Sequence, residues 1–489
     1  MRLWREIGAI LGALLAAMAA AADPACAAEL LVGAAATDIT PAGPVALAGQ
    51  FRTRISTKVD TPLVAAAVAL ESREGEKSID QAIMIGCDLV AIREGVPERF
   101  RRHVAPRMPG FDVRKIFLSA THTHTAPVTL KDAFRYEIPK EGVVQPEEYV
   151  EFLVGRLSDL AVKAWESRKP GGVSWTFGHA VVGHNRRAVY ADGSARMYGP
   201  TNIPTFRGFE GYEDHGVDML FFWNGERQLQ AIAINLACTA QEVEGQSTVN
   251  ADFWHEVRVR LRKEFSPDLC VLGWVGAAGD QSPHLLLEKK AENRMLSARG
   301  LTRMQEIARR ISGAVLDTID VARKDIRTDV PLVHRVEDLE LPRRIITKAE
   351  YAKAKASFEK YAGQPSLSAV DRVHMGRDRD VVERFEKADQ LPPYTMELHV
   401  LRLGDVAIAT NPFELFLDYG LQIKGRSPAV QTMVVQLTCG SSGYLPTQKA
   451  IAGGSYSATP QSNTVGPEGG QVLVEKTVEA INALWKESK

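Results

Sequence analysis

The chain has 489 residues, 45% of them hydrophobic and 24% charged, which suits one large globular domain or two ordinary ones and excludes a disordered chain. Its formal net charge of -1 gives no electrostatic case for a nucleic acid or an anionic membrane surface as partner, since proteins that hold those carry a clear basic excess. A small molecule is the expected partner.

Arg2 and Arg5 precede an apolar run from Ile7 to Ala22, followed by the small residues Ala25, Cys26, Ala27 and Ala28, which is the order of a secretory signal peptide. The run is shorter than the about 20 residues a bilayer needs. Residues 1–28 are therefore predicted to be a leader, the mature chain to be periplasmic or secreted, and no transmembrane segment to follow. Cys87, Cys238, Cys270 and Cys439 stay in the mature chain. Each sits in an apolar strand-like run where a buried free thiol is the commoner state, so no bridge is predicted.

Short runs rich in Val, Ile and Ala then alternate with helical stretches. Leu63 to Leu70, Ala82 to Ile85, Lys115 to Ala120, Ala231 to Leu236, Cys270 to Val275, Val406 to Ala409 and Val430 to Gln436 read as buried strands of an α/β protein, a mixed β-sheet core flanked by helices. Thr302 with Gln305 forms a helix-start capping pair, and Met304, Ile307, Ile311 and Val315 follow at helical spacing, so that helix should lie against the sheet. Thr347 with Glu350 opens a second, charged helix, and Arg372 to Asp389 is equally charged; residues 343–391 read as a surface helical insertion. Met396, Leu398 and Val400 alternate with polar neighbours and, despite Arg402, lead through Gly404 and Asp405 into a hairpin. Val474, Val478, Ile481 and Trp485 mark one face of a last helix.

Three segments can carry chemistry. In Ser119-Ala-Thr-His122-Thr-His124, placed where a strand runs out, extended backbone would point both imidazoles the same way, toward a zinc ion or an acid/base pair; local capping of the strand end fits the pattern equally. Gly276-Ala-Ala-Gly279-Asp280-Gln-Ser282-Pro283 is a glycine-rich turn after a strand that can lift a serine hydroxyl and backbone N–H groups to the sheet edge, or serve only as a tight turn. Asn411-Pro-Phe-Glu414 and Ser442-Gly-Tyr444 stand at two further strand ends.

In this order the segments resemble the neutral, non-lysosomal ceramidase family. Ala36-Thr-Asp38-Ile-Thr-Pro41 is similar to the family's opening strand and Cys87-Asp88-Leu89 to its second. Ser119 to His124, Asn185-Arg186, Gly279 to Pro283, Glu414, Tyr444 and Tyr456 match later motifs, over about Leu31 to the C-terminal helix. The resemblance implies one catalytic domain over residues 29–489, with His122, Glu414 and Tyr444 as ligands of one zinc ion. It implies that His124 bonds the metal-activated water or the leaving group, that Arg186 and Tyr456 face the reacting carbonyl, and that Ser282 is a nucleophile or a substrate contact.

Two departures from the family pattern stand out. Its second metal histidine is replaced by Thr239 in Asn235-Leu-Ala-Cys238-Thr239-Ala-Gln241-Glu242, which leaves the zinc site incomplete. Glu242, Glu244 and His255 are candidate substitutes; Cys238 points away from Thr239 on a strand. The chain also stops after its last helix without the family's immunoglobulin-like domain, which argues against assuming ceramide as substrate. The expected function is metal-dependent hydrolysis of an acyl bond in a small acylated substrate, an amide or an ester, by a water activated on the metal, with His124, Arg186, Tyr444 and Tyr456 as catalytic groups. Two other readings stand beside it: a metal-independent hydrolase with Ser282 as nucleophile and His124 as base, and a non-catalytic periplasmic binding protein on the same fold.

Overall fold

The computed structural model describes residues 28–130 and 137–486; the expected leader lies outside them but for its last residue. Eight strands form the larger sheet: β1 (Glu29–Asp38), β2 (Val64–Glu74), β3 (Lys77–Cys87), β4 (Ile116–Ala120), β5 (Lys169–His179), β6 (Gly216–Asn224), β7 (Leu229–Leu236) and β8 (Cys270–Val275). They lie in the order β8-β7-β6-β5-β1-β2-β3-β4. Only the two outermost pairs, β7 with β8 and β3 with β4, are parallel. A second sheet runs β9 (Leu332–Leu341), β10 (Tyr394–Leu403), β11 (Val406–Thr410), β12 (Gln431–Val435), its last pair again parallel.

The two sheets pack face to face, and helices cover both outer faces. Alternation along each strand builds these layers. On β6, Leu220 and Phe222 join Leu401, Leu403, Val406 and Ile408 of the second sheet in the central apolar layer. Their neighbours Met219, Phe221 and Trp223 point outward, against the helices Phe253–Glu264 and Arg303–Lys324. The other half of the large sheet packs on the helices Val96–Val104 and Pro146–Glu166, and the second sheet packs on Leu417–Arg426 and Pro467–Lys486. The architecture is the expected mixed α/β core flanked by helices, and all seven expected strands are present.

The Arg303–Lys324 helix starts on the Thr302/Gln305 capping box and packs on β5, as its apolar spacing requires. Arg402, which interrupts the apolar face of β10, stacks on Trp485 at 4.5 Å and donates to the Leu484 carbonyl at 2.8 Å. A guanidinium suits that place because it meets the electronegative end of the last helix. The charged segment holds the helices Lys348–Ala362 and Ala369–Glu386, joined through Ala354, Val381 and a Tyr351–Phe385 stack at 4.3 Å. The second of them reaches past the surface to the wall of the main cavity with Arg377, Asp380 and Arg384. Among the described residues Cys87, Cys238, Cys270 and Cys439 are free thiols, Cys439 half-buried and the others buried.

Five loops leave the carboxyl ends of β4, β7, β8, β11 and β12, and their first residues are tied together. Ala120 N donates to Leu437 O, Gly276 N to Leu236 O, and Gln436 N to Val275 O. The chemistry-bearing residues sit on these loops, except Arg186, which lies between β5 and β6; strand ends are where α/β sheets commonly place their sites.

Candidate active site

The strand β4 stops at Ala120, and His122 has φ +66°, the left-handed region that non-glycine residues rarely adopt. The two imidazoles therefore do not meet through extended backbone, as the sequence spacing predicts; a sharp reversal at His122 brings them together. His122 Nδ1 lies 2.6 Å from the Val90 carbonyl, which only a protonated Nδ1 satisfies, so its Nε2 carries the lone pair. That Nε2 is 3.2 Å from His124 Nε2 and 3.5 Å from Glu414 Oε2.

His124 is fixed from its other side. Its Nδ1 is 3.2 Å from Glu244 Oε2, and the Gln241 side-chain nitrogen is 2.9 Å from its Nε2. Gln241 Oε1 accepts from Thr239 Oγ1 at 2.5 Å and from Arg186 Nη1 at 3.3 Å, so the amide nitrogen is the end turned to His124. The ring then holds its proton on Nδ1, against Glu244, and keeps Nε2 as an acceptor. Burial pushes the His124 pKa down to about 4 against the pull of Glu244, and so favours the neutral ring.

Glu414 and Tyr444 are side by side because Glu414–Leu415 and Tyr444–Leu445 pair in parallel. Burial alone would raise the Glu414 carboxyl, yet the adjacent His122, the charge of Arg186 and the Tyr444 hydroxyl hold it below the usual carboxylate range. Tyr444 is held well above the usual phenol range by burial and by the Glu414 charge. Arg186 donates to Gly279 O at 2.8 Å and to the Tyr444 hydroxyl at 3.4 Å. Its neighbour Asn185 anchors the segment by donating to Asp280 Oδ2 at 3.1 Å. Tyr456 packs edge-on against Tyr444 with ring centroids 5.4 Å apart. His122, His124, Glu414, Tyr444 and Tyr456 all line one cavity of about 430 Å³.

Ser282 is placed differently. It is fully buried and absent from the cavity wall; its Oγ accepts from Tyr198 Oη at 3.0 Å and from the His284 N–H at 3.1 Å. Neither partner is a base, so the arrangement lacks the Ser282–His124 contact that a serine nucleophile needs.

The residues fit a zinc ion on the chemistry of their donors. The lone pair of His122 Nε2 faces Glu414 Oε2 at 3.5 Å, and two acceptors placed so repel each other unless a cation or a proton is shared between them. Of the candidate substitutes for the missing histidine, Glu244 is committed to His124 and, at 3.2 Å, to His284. Glu242 lies 3.9 Å from His284 and from Arg303, and His255 sits among Glu256, Arg258 and Asp88. Thr239 gives its hydroxyl to Gln241. The expected ligand set therefore stays at His122, Glu414 and Tyr444.

Sequence reasoning missed Gln241 and Tyr198 as contacts of Arg186 and His284 as a partner of Glu244. His284, two residues past Ser282, carried a signal in its position; Tyr198 carried none. Among the described residues Glu397, His399 and Cys439 also bring three donor atoms within 4.8 Å of one another. There Arg101 is already the cation, bound to both Glu397 oxygens at 2.7 and 2.5 Å.

No protein-family model and no curated protein matches the chain. Among solved structures, the neutral ceramidase from Pseudomonas aeruginosa overlays 94% of this chain and 75% of that one with a TM-score of 0.68 at 15% identity. A ceramidase complexed with C2 overlays 94% of this chain and 76% of that one with a TM-score of 0.67 at 14% identity. Overlaid over 94% of its length on both structures, this chain has the neutral ceramidase-like fold.

Proposed function

We propose that the protein hydrolyses an acyl bond, in the first place an N-acyl amide, with water as the nucleophile. The observation that carries this reading is the Glu244–His124 pair, with the His124 imidazole on the cavity wall and its Nε2, which accepts from Gln241, turned toward His122 and Glu414. Gln241, donating to Nε2, sets the tautomer, and the Glu244 carboxylate lies 3.2 Å from Nδ1, where it would stabilise the protonated ring. His124 Nε2 takes a proton from the attacking water as the new C–O bond forms, and returns it to the departing amine as the C–N bond breaks. Tyr444 and Tyr456 present donors to the charge that gathers on the carbonyl oxygen, and Arg186, behind the cavity wall, bonds the Tyr444 hydroxyl. A zinc ion held by His122, Glu414 and Tyr444 would supply Lewis-acid polarisation and a more acidic water. Ser282 supports Tyr198, which in turn bonds Arg186 at 3.1 Å. The leader-like segment 1–28 supports a periplasmic or secreted place of action, and no helix among the described residues is long and apolar enough to cross a membrane.

The test joins elemental analysis with kinetics. Protein purified without added metal should hold stoichiometric zinc, and Thr239→His should hold it more tightly against a chelator. Glu244→Gln should lower kcat on an N-acyl anilide by about 10²–10⁴-fold. Unchanged turnover in that variant removes His124 as the base; chelator-insensitive turnover removes the zinc.

A further inference from the structure

The loop after β7 builds a chain of polar groups that starts at Thr239 and runs away from the cavity. Thr239 Oγ1 and Arg186 Nη1 both donate to Gln241 Oε1. The Gln241 amide nitrogen then divides its two hydrogens between His124 Nε2 at 2.9 Å and Glu244 Oε2 at 3.2 Å. The other Glu244 oxygen, Oε1, accepts from His284 Nε2 at 3.2 Å. His284 belongs to a different loop, the one after β8, 40 residues further along the chain. Neither Glu244 nor His284 reaches the cavity wall, so whatever His284 does for the site it does through Glu244.

His284 is itself fixed. Its backbone N–H donates to Ser282 Oγ at 3.1 Å, and its ring meets Tyr198 edge-on with centroids 5.8 Å apart. Ser282 Oγ also accepts from Tyr198 Oη at 3.0 Å, so this serine anchors two arms, Tyr198 bonded to Arg186 and His284 bonded to Glu244. The charged groups around the His284 ring are Glu244 and Glu242 from the loop after β7, Asp252 from the start of the Phe253–Glu264 helix, and, beyond Glu242, Arg303 from the start of the Arg303–Lys324 helix. Glu242 Oε2 is 3.9 Å from His284 Nδ1, too far for a hydrogen bond, and burial lifts its carboxyl to about 7. Glu244, against the raising effect of burial, is kept well below the usual carboxylate range by His124 and His284, so it is both the nearer and the more fully ionised partner. Against the lowering effect of burial, the bond to Glu244 and the charges of Glu244, Glu242 and Asp252 keep the His284 ring above the ordinary histidine range. A bond between a charged ring and a carboxylate is among the stronger hydrogen bonds, and it holds the carboxylate in one orientation.

We infer that His284 is a positioning residue of the reaction: by bonding Glu244 Oε1 it keeps Glu244 Oε2 against Gln241 and the Nδ1 side of His124, and so keeps the His124 ring aimed into the cavity. This rests on the hydrolase reading, in which His124 is the base. In that arrangement Ser282, two residues before His284, serves the reaction by holding His284 and Tyr198 in place and not by attacking the carbonyl.

The experiment is a double-mutant cycle on the full chain with N-pentanoyl 4-nitroanilide as the probe. His284→Phe, which keeps a ring and loses the bond, should lower kcat by about tenfold or more and leave KM unchanged. His284→Gln, which can still donate to Glu244, should regain most of that loss. In a Glu244→Gln background His284→Phe should lower kcat little further, because the partner it acts through is already altered. Unchanged turnover in His284→Phe, or losses that multiply in the double variant, overturns the proposal. Histidine-ring NMR supplies a readout that needs neither turnover nor the Phe variant, with the His284 signal assigned by its absence from His284→Gln. That ring should titrate above 6.5 in the wild type, and its midpoint should fall by about one pH unit or more in Glu244→Gln. A midpoint that does not move overturns the proposal, whether or not the variants are active. If the wild type cleaves no amide and the midpoint falls, the His284–Glu244 pair stands while the hydrolase reading falls.

Discussion

His122 keeps its left-handed backbone because both sides of its ring are held, by the Val90 carbonyl on one and by His124 and Glu414 on the other. Such a conformation costs a non-glycine residue about 1–2 kcal/mol, and it is what turns two loop imidazoles toward each other. Glycine solves the opposite problem nearby. Gly49 has φ +95°, and a Cβ there would stand 2.4 Å from the His124 ring; Gly279 passes against Glu414, where a Cβ would meet its carbonyl oxygen at 2.3 Å. Gly49→Ala is expected to push the His124 ring out of its place beside Glu244 and Gln241 and lower kcat by about a hundredfold, since displacements near 1 Å cost that much, with only a modest loss of melting temperature. Steady-state kinetics beside a thermal melt checks this; equal loss of activity and fold would mean that Gly49 matters for the backbone alone. The sequence showed His122 and His124 as a pair, but not the glycine that makes room for them, because the clash comes from a residue outside the motif.

The elements are pinned together by buried ion pairs that the motifs announce without explaining. Asp88, in the Cys-Asp-Leu segment after β3, accepts from Arg258 of the Phe253–Glu264 helix at 2.6 and 3.0 Å, both residues being buried. It also accepts from Val64 N at 2.9 Å and from the Thr121 hydroxyl, one residue before His122, at 3.3 Å. Removing one partner of such a pair strands a buried charge, so Arg258→Ala should cost about 3–5 kcal/mol, read as a lower urea midpoint. Glu306 anchors the Arg303–Lys324 helix. Bonds from Arg309, against the opposing effect of burial, and from Arg310 and Arg299 hold its carboxyl at about 2 instead of 4.5. A carboxyl depressed in the folded state stabilises fully above its unfolded pKa and loses that contribution as pH falls through the folded one. The melting temperatures of wild type and Glu306→Gln should therefore differ most above pH 4.5 and converge toward pH 2; a gap that does not change with pH would assign Glu306 a packing role only. Capping boxes made both helix starts legible, because that signal is local. β9 was not legible: His334, Arg335, Glu337 and Asp338 fill it, and an edge strand of the second sheet tolerates such charge where a central one does not.

On the scale of the molecule the two sheets share one apolar layer, so neither closes its core alone. Leu401 of β10, fully buried, faces that layer with Leu220 and Phe222 of β6. Leu401→Ala should cost about 2–5 kcal/mol, and hydrogen exchange should show the amides of β6 and β11 losing protection together. Loss confined to the second sheet would mean that the sheets unfold separately. The same stacking sets the site, since its five loops come from both sheets.

The sequence by itself determined the strands and helices, the ordered motifs and the residue types of the site, because apolar alternation, capping pairs and short motifs are written within a few residues of one another. It also showed that Thr239 stands where the family it resembles has a histidine. Only the tertiary structure brought Glu244 against His124, set Ser282 behind Tyr198 and turned Arg377 and Arg384 of the second charged helix into the cavity. His124 and Gln241 are 117 residues apart and Arg186 and Tyr444 are 258 apart. Contacts at that separation are fixed by the order of strands in the sheets and by how the sheets stack, which no local pattern encodes.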